Sequence, residues 1–412
     1  MLLAIIFTFH VFLLIYLSLP FLCEKFPRYY YSFVFKPKDE WGNSEEHFTS
    51  FEKHRLTSNS TRNLYVTTCD TGDKIGLWHI LPYESKLAMS AVGPSTSTFD
   101  SAFNSGKPTF IYFHGNSKTR SVPWRVDIYK MLSALGYNVV AFDYRGYGDS
   151  SGKMTGENDC IFDSLAVIRF VQERCRSNPV FFWGHSLGTG VVGSVVRRIY
   201  DDIQHSSSDV RLPDGIILDA PFTTLAQVMV SRKSLWPYRV CTGSHLSGCP
   251  VPILILHAKD DYVVPFKLGQ RLATNLGAHQ NVRFVPFEAS CGYGHNFIHT
   301  APEIPQIIED FVNSSVNNAP SQKFRYPALQ VMNSTIRFSM LFMSCGTLHL
   351  HLLTQNHNLD ELMRNQPWIQ QVNLSSALRA HPQQISQHKR KADWSNALIT
   401  HKKKNQTHAY LI

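Results

Sequence analysis

Ser186 lies within Gly184-His185-Ser186-Leu187-Gly188, a G-x-S-x-G pentapeptide. The run before it, Val180-Phe181-Phe182-Trp183, is apolar and rich in strand formers. The run after it, Thr189-Gly190-Val191-Val192-Gly193-Ser194-Val195-Val196, reads as a tightly packed helix reaching Arg197-Arg198. Strand, sharp turn and helix in that order lift a serine hydroxyl out of the backbone as a nucleophile. The turn is strained, so its flanks must be small, and Gly184 and Gly188 meet that need. At a helix N-terminus the alkoxide and the developing oxyanion are electrostatically favoured. Glycine and serine are common, so the pentapeptide alone is a weak signal. The weight falls on whether the other parts exist.

A serine nucleophile needs a base, an acid that orients the base, and an oxyanion hole. In this architecture the chain order is serine, acid, histidine. The acid is expected in His257-Ala258-Lys259-Asp260-Asp261-Tyr262-Val263-Val264-Pro265, which follows an apolar strand. Asp261 is the first choice, Asp260 the second, and Asp219, at the end of the strand Gly215–Leu218, the third. His295, in Gly292-Tyr293-Gly294-His295-Asn296-Phe297, is the base, carried by a glycine-flanked loop after the last strand. His299 reads as a surface residue on the next turn. One oxyanion donor is the N–H of Leu187. The other is the N–H of Asn116, in His114-Gly115-Asn116-Ser117 after the strand Thr109–Phe113, where Gly115 lets the backbone approach a substrate carbonyl. Such a set performs acyl transfer: Ser186 attacks an ester or thioester carbonyl, and water releases the acyl group. It calls for no metal and no cofactor.

These residues must be positioned by strands. Leu64–Thr68 and Ile75–Leu81 flank the turn Asp70-Thr71-Gly72-Asp73 and predict a hairpin. Residues 84–107, rich in Ser, Thr and Gly, predict a surface loop. Strands over Thr109–Phe113, Asn138–Phe142, Val180–Trp183, Gly215–Leu218, Ile253–Leu256 and Val282–Val285 alternate with helices near 122–135, 158–175 and 302–313. Alternation of that kind predicts a parallel sheet covered on both faces. In Asp143-Tyr144-Arg145-Gly146-Tyr147-Gly148-Asp149-Ser150 the glycines predict a tight loop, with Arg145 and Asp149 as scaffold braces.

The chain has 412 residues, 43% of them hydrophobic, with eight cysteines and a net charge of +9. This is enough for one large α/β domain with appendages. The cysteines form no CxxC pairs, which argues against a zinc site or a dense disulfide framework; Cys241 and Cys249 read equally as a local bridge formed in an oxidising compartment and as two ordinary thiols. No nucleic-acid module and no obligate protein partner is indicated. The expected organisation is an apolar span over 1–23, a membrane-proximal connector over 24–62, the catalytic domain over 63–315 with a cap at about 222–249, and a basic, poorly ordered tail over 316–412.

Leu2 to Leu22 is almost continuously apolar, and about twenty such residues suffice to span a bilayer. An uncleaved signal anchor is the first reading and a cleaved signal peptide the second. Lys25 and Arg28 after the span favour a cytoplasmic body. The N-x-S/T sequons at Asn59, Asn313, Asn333, Asn373 and Asn405 favour a luminal one, with Asn59 the glycosylation candidate.

Taken together, His114-Gly115-Asn116, Phe142–Ser150, Gly184–Gly190, Asp219-Ala220-Pro221-Phe222-Thr223, His257–Pro265 and Val285-Pro286-Phe287 with Gly292–His295 resemble the α/β-hydrolase superfamily. Within it they resemble the lysophosphatidylserine lipase branch, of abhydrolase-domain type twelve. The resemblance spans roughly residues 25–313. It implies an α/β-hydrolase fold and a single-pass anchor in the endoplasmic-reticulum membrane. It further implies a luminal active site, and lysophospholipid and monoacylglycerol substrates. The chain departs from that pattern in having no polar segment ahead of the span, a short insert between Pro221 and Cys249, and a tail without a counterpart. A serine head group needs a partner for its phosphate, and Lys118 and Arg120 are the candidates. The competing reading is a protein depalmitoylase with a cytoplasmic site.

Overall fold

The computed structural model describes residues 6–14, 18, 35, 44–84, 96–175, 178–206, 208–224, 242–277 and 281–317, and short strands in the tail. The chain divides into two compact units, Met1–Lys323 and Phe324–Ile412. The first is built on an eight-stranded sheet in the order β1-β2-β4-β3-β5-β6-β7-β8. Its strands are β1 (Thr61–Thr67), β2 (Lys74–Ile80), β3 (Thr109–Phe113), β4 (Asn138–Phe142), β5 (Val180–His185), β6 (Gly215–Asp219), β7 (Ile253–Ala258) and β8 (Val282–Phe287). β1 and β2 form the expected antiparallel hairpin, and β2 also runs antiparallel to β4. From β4 to β8 every pairing is parallel. The sheet is therefore mostly parallel, as the alternation predicts.

The side-chain alternation of each strand sorts residues between two cores. Ile111, Phe113, Phe182, Ile216, Leu218, Ile253 and Ile255 face one core. Phe110, Tyr112, Phe181, Trp183, Ile217, Leu254 and Leu256 face the other. Helices α1 (Glu45–Thr49), α2 (Thr96–Ala102), α3 (Pro123–Ala134), α4 (Glu157–Arg174), α5 (Leu187–Gln204), α6 (Gly243–Leu246), α7 (Phe266–Gly277) and α8 (Ile304–Asn317) follow in chain order. α4, α5 and α7 cover the first core, through residues such as Val171, Val195 and Leu272. α3 and α8 cover the second, through Tyr129, Leu132, Ile308 and Phe311. Burying each such side chain contributes about 1.5–3 kcal/mol, and this fixes the strand ends that carry the site.

The Ser/Thr-rich stretch read as a surface loop contains a helix, α2, that buries Phe99 and Ala102. Tertiary burial of those two residues overrides the weak local preference. Of the expected membrane span, residues 6–14 are helical, with Phe7, Phe9, Phe12 and Leu14 exposed. Among the described residues no helix is long and apolar enough to cross a membrane; most of residues 1–23 lies outside the described set, as do residues 225–241 of the expected cap and Cys241. In the tail, Ile336–Phe338 pairs with Leu352–Thr354, Phe342–Ser344 with Thr347–His349, and Ile399–Lys403 with Gln406–Tyr410, all antiparallel. The sequence did not announce these short pairs.

Candidate active site

β5 ends at His185 and α5 begins at Leu187, so Ser186 alone makes the turn. Its backbone has φ 53° and ψ −118°, a conformation that costs a non-glycine residue energy and persists only where the surroundings enforce it. Two features enforce it. The Ser186 N–H donates to the Asp219 carbonyl at 2.9 Å, tying the turn to β6. The flanking glycines also leave no room for anything larger: a Cβ on Gly188 would lie 2.0 Å from the Phe113 carbonyl oxygen, and one on Gly184 would lie 2.6 Å from that of Gly188.

The His295 Nε2 stands 2.9 Å from Ser186 Oγ, and its Nδ1 stands 2.7 Å from Asp261 Oδ2. Ser186 is partly exposed, whereas His295 and Asp261 are buried. The other oxygen of Asp261, Oδ1, accepts from the N–H groups of Val263 and Val264 at 2.7 and 2.8 Å. Burial pushes the Asp261 carboxyl upward. Hydrogen bonds from His257 and His295 outweigh that push and hold it well below the usual carboxylate range. An ionised Asp261 fixes the imidazole with Nδ1 protonated and leaves Nε2 free to take a proton from Oγ.

The neighbouring residues have different tasks. Asp260 Oδ2 accepts from the Gly294 N–H at 3.0 Å, fastening the histidine loop to the acid turn. Asp219 is buried at the end of β6, and burial pushes its carboxyl up to about 8; its contribution to the turn is its main-chain carbonyl. His299 is partly buried and hydrogen-bonds the Asn296 carbonyl at 3.1 Å. Two further histidines escaped the sequence reading. His185 donates from Nε2 to the His295 carbonyl at 2.9 Å, and burial holds its imidazole down at about 3 and hence neutral. His257 is fully buried, donates to the Val264 carbonyl at 3.0 Å and lies 3.4 Å from Asp261 Oδ2. The signals for both were present: one is the second residue of the pentapeptide, the other the strand-end residue four before Asp261.

Gly115 abuts Ser186, since a Cβ there would lie 3.4 Å from Ser186 Cβ. Asn116 follows it, exposed, while Leu187 opens α5. The first N–H groups of a helix have no partner within it, which suits Leu187 as an oxyanion donor. Lys118 is partly buried with φ 62°, its ammonium 5.2 Å from the Trp124 ring centroid.

Arg120 corrects the expectation. Its side chain is fully buried and paired with Asp143 at 2.5 Å and Asp149 at 2.7 Å, and it lies over the Phe48 ring at 4.1 Å. A guanidinium committed to two carboxylates in the interior does not meet a substrate phosphate. Asp149 and Arg145 brace the scaffold as expected: Arg145 is buried against Asp163 at 2.7 Å and Asp70 at 2.9 Å. Among the described residues no group of three or more His, Cys, Asp or Glu side chains is placed to hold a metal ion.

A mostly parallel sheet with a strained serine between β5 and α5, faced by histidine and aspartate from the loops after β8 and β7, defines an α/β-hydrolase. The α/β-hydrolase fold family matches residues 108–203. Lysophosphatidylserine lipase ABHD12 of Danio rerio is 36% identical over 281 residues, covering 62% of this chain and 70% of that protein. Protein ABHD12B of Homo sapiens is 30% identical over 287 residues, covering 64% and 75%. The chain belongs to this ABHD12 family of α/β-hydrolases, and it is a hydrolase of the lipase and esterase kind. An esterase from Pyrococcus furiosus is similar in structure, with a TM-score of 0.49 and 18% identity over 69% of this chain and 98% of that one.

Proposed function

We propose that this protein is a membrane-anchored serine lipase that cleaves the acyl ester of lysophospholipids, lysophosphatidylserine foremost, and of monoacylglycerols, with Ser186, His295 and Asp261 as its catalytic residues. The supporting observation is the unbroken hydrogen-bond relay from Ser186 Oγ through His295 to Asp261, mounted on a strained turn. His295 takes the serine proton as Oγ attacks the ester carbonyl. The N–H groups of Leu187 and Asn116 receive the oxyanion. Collapse of the tetrahedral intermediate passes the proton to the departing glycerol oxygen. Water, activated by the same imidazole, then releases the fatty acid and restores Ser186.

The lysophosphatidylserine assignment is supported by the names of the relatives. The anchor is supported by the apolar run from Leu2 to Leu22, and it places the site beside amphiphilic substrates in the endoplasmic-reticulum membrane. A luminal body is supported by the sequon at Asn59, which is exposed. Glycan occupancy at Asn59 in the expressed protein tests that topology; an unglycosylated Asn59 together with cleavage of a palmitoyl thioester alone would favour the depalmitoylase reading. With Arg120 committed elsewhere, Lys118 is left as the partner for the head-group phosphate.

A further inference from the structure

We infer that His114 is a positioning residue that sets the plane of the Gly115–Asn116 peptide and thereby aims the Asn116 N–H at the oxyanion. The inference rests on the serine-hydrolase reading, in which Asn116 supplies one of the two donors.

His114 Nδ1 donates to the Gly115 carbonyl at 2.7 Å. That carbonyl belongs to the same peptide unit as the Asn116 N–H. A trans peptide is planar, with its C=O and N–H pointing in opposite directions, and no cis peptide bond is present among the described residues. Holding the oxygen from one side therefore fixes where the hydrogen points. Gly115 itself lies against Ser186, so the peptide unit that carries the Asn116 N–H is next to the reacting centre.

The imidazole is in turn immobilised. It is fully buried, and it packs between two buried tyrosines, Tyr144 at 4.5 Å and Tyr147 at 5.1 Å between ring centroids. Its Nε2 lies 3.4 Å from Asp143 Oδ1, in the carboxylate that also binds the Arg120 backbone N–H at 2.7 Å and its guanidinium. The neighbouring carbonyls of the same loop are also captured by side chains. Tyr147 Oη donates to the Asn116 carbonyl at 2.9 Å. Arg125, buried on α3, donates to the Ser117 carbonyl at 2.8 Å and to that of Thr119 at 2.6 Å. A loop whose carbonyls are held in this way arrives pre-organised, and pre-organised donors need no rearrangement as charge develops.

Asparagine places an N–H donor where the imidazole has Nδ1; glutamine places it where the imidazole has Nε2. The test compares the full-length, membrane-expressed wild type with His114→Asn, His114→Gln and Ser186→Ala. It records kcat and KM for lysophosphatidylserine, together with the thermal unfolding temperature. The expected result is a kcat lower by about a hundredfold in His114→Gln, the size of a lost oxyanion donor, with KM changed little. His114→Asn is expected to stay within tenfold of wild type. Equal losses in both folded variants, or no loss in either, would overturn the inference. Where the glutamine variant does not accumulate as folded protein, the asparagine variant decides: kcat within tenfold of wild type sustains the assignment, and a greater loss at an unchanged unfolding temperature overturns it. A wild type without Ser186-dependent hydrolysis would instead overturn the serine-hydrolase reading, and this inference with it.

Discussion

Two polar clusters are built around the same sheet, and they use charge in opposite ways. In the relay of Ser186, His295 and Asp261, the chain of hydrogen bonds ends on a hydroxyl that is partly exposed. In the buttress of Arg120 with Asp143 and Asp149, and of Arg145 with Asp163 and Asp70, the guanidiniums are closed off by carboxylates in the interior. The first cluster leaves a proton to move and a place for a reacting atom. The second leaves neither, and its work is to hold the loops after β3 and β4. Burial acts on both, with different results. It is outweighed at Asp261 by donors from His257 and His295, so that carboxyl stays low. At Asp143 burial prevails over Arg120, and the carboxyl is pushed up to about 6.

The comparison predicts a sharp division between lost turnover and lost stability. The largest effect is expected from Asp261→Asn, which takes the orienting charge from His295: kcat should fall by about 10⁴-fold in a protein that still folds, measured on lysophosphatidylserine beside circular dichroism. A fall of less than tenfold would remove Asp261 from the relay and reopen Asp219 as the acid. Next in size is Arg120→Met. It strands two buried carboxylates and should lower the unfolding free energy by about 3–5 kcal/mol, read by urea denaturation. If that variant keeps its stability and only raises KM for lysophosphatidylserine, the guanidinium serves the substrate after all.

Asp219 sharpens the division further. Its folded carboxyl is held up to about 8 against an ordinary value of 3.8, principally by burial. The folded state therefore keeps a proton that the unfolded chain gives up, and stability falls as pH rises from about 4 to about 8. Asp219→Asn has no such proton to lose. The variant's stability relative to wild type should accordingly grow across that window, by about 2 kcal/mol or more at the upper end. A difference that stays constant with pH would mean that Asp219 is ionised in the folded protein. The smallest effect is expected from Lys118→Ala: a severalfold rise in KM for lysophosphatidylserine with none for a monoacylglycerol. Equal changes for both substrates would remove Lys118 from the head-group site.

Much of this site was legible because its parts are local. Gly184 and Gly188 mark a turn that admits no Cβ, and the apolar runs before Ser186 and Asp261 mark the strand ends that carry them. Arg145 and Asp149 were legible as braces for a similar reason, since they lie in one glycine-punctuated loop. Arg120 was not. A basic residue beside the His114–Ser117 loop reads as a ligand for an anion until the fold brings Asp143 and Asp149 from one loop, and Phe48 from α1, around it. Helix α2 was hidden for a related reason: nothing in Thr96–Ala102 shows that Phe99 and Ala102 will be buried. The sequence placed His114 in the oxyanion loop without a role of its own, and the bond from its Nδ1 to the Gly115 carbonyl gives it a task.

The most direct measurement is hydrolysis of lysophosphatidylserine by the membrane-expressed protein beside Ser186→Ala, with a monoacylglycerol and a palmitoyl thioester as parallel substrates. The relay predicts release of fatty acid from both esters, falling by at least about 10³-fold in the mutant. Ester hydrolysis that persists in Ser186→Ala, or no Ser186-dependent turnover of any of the three, would contradict it.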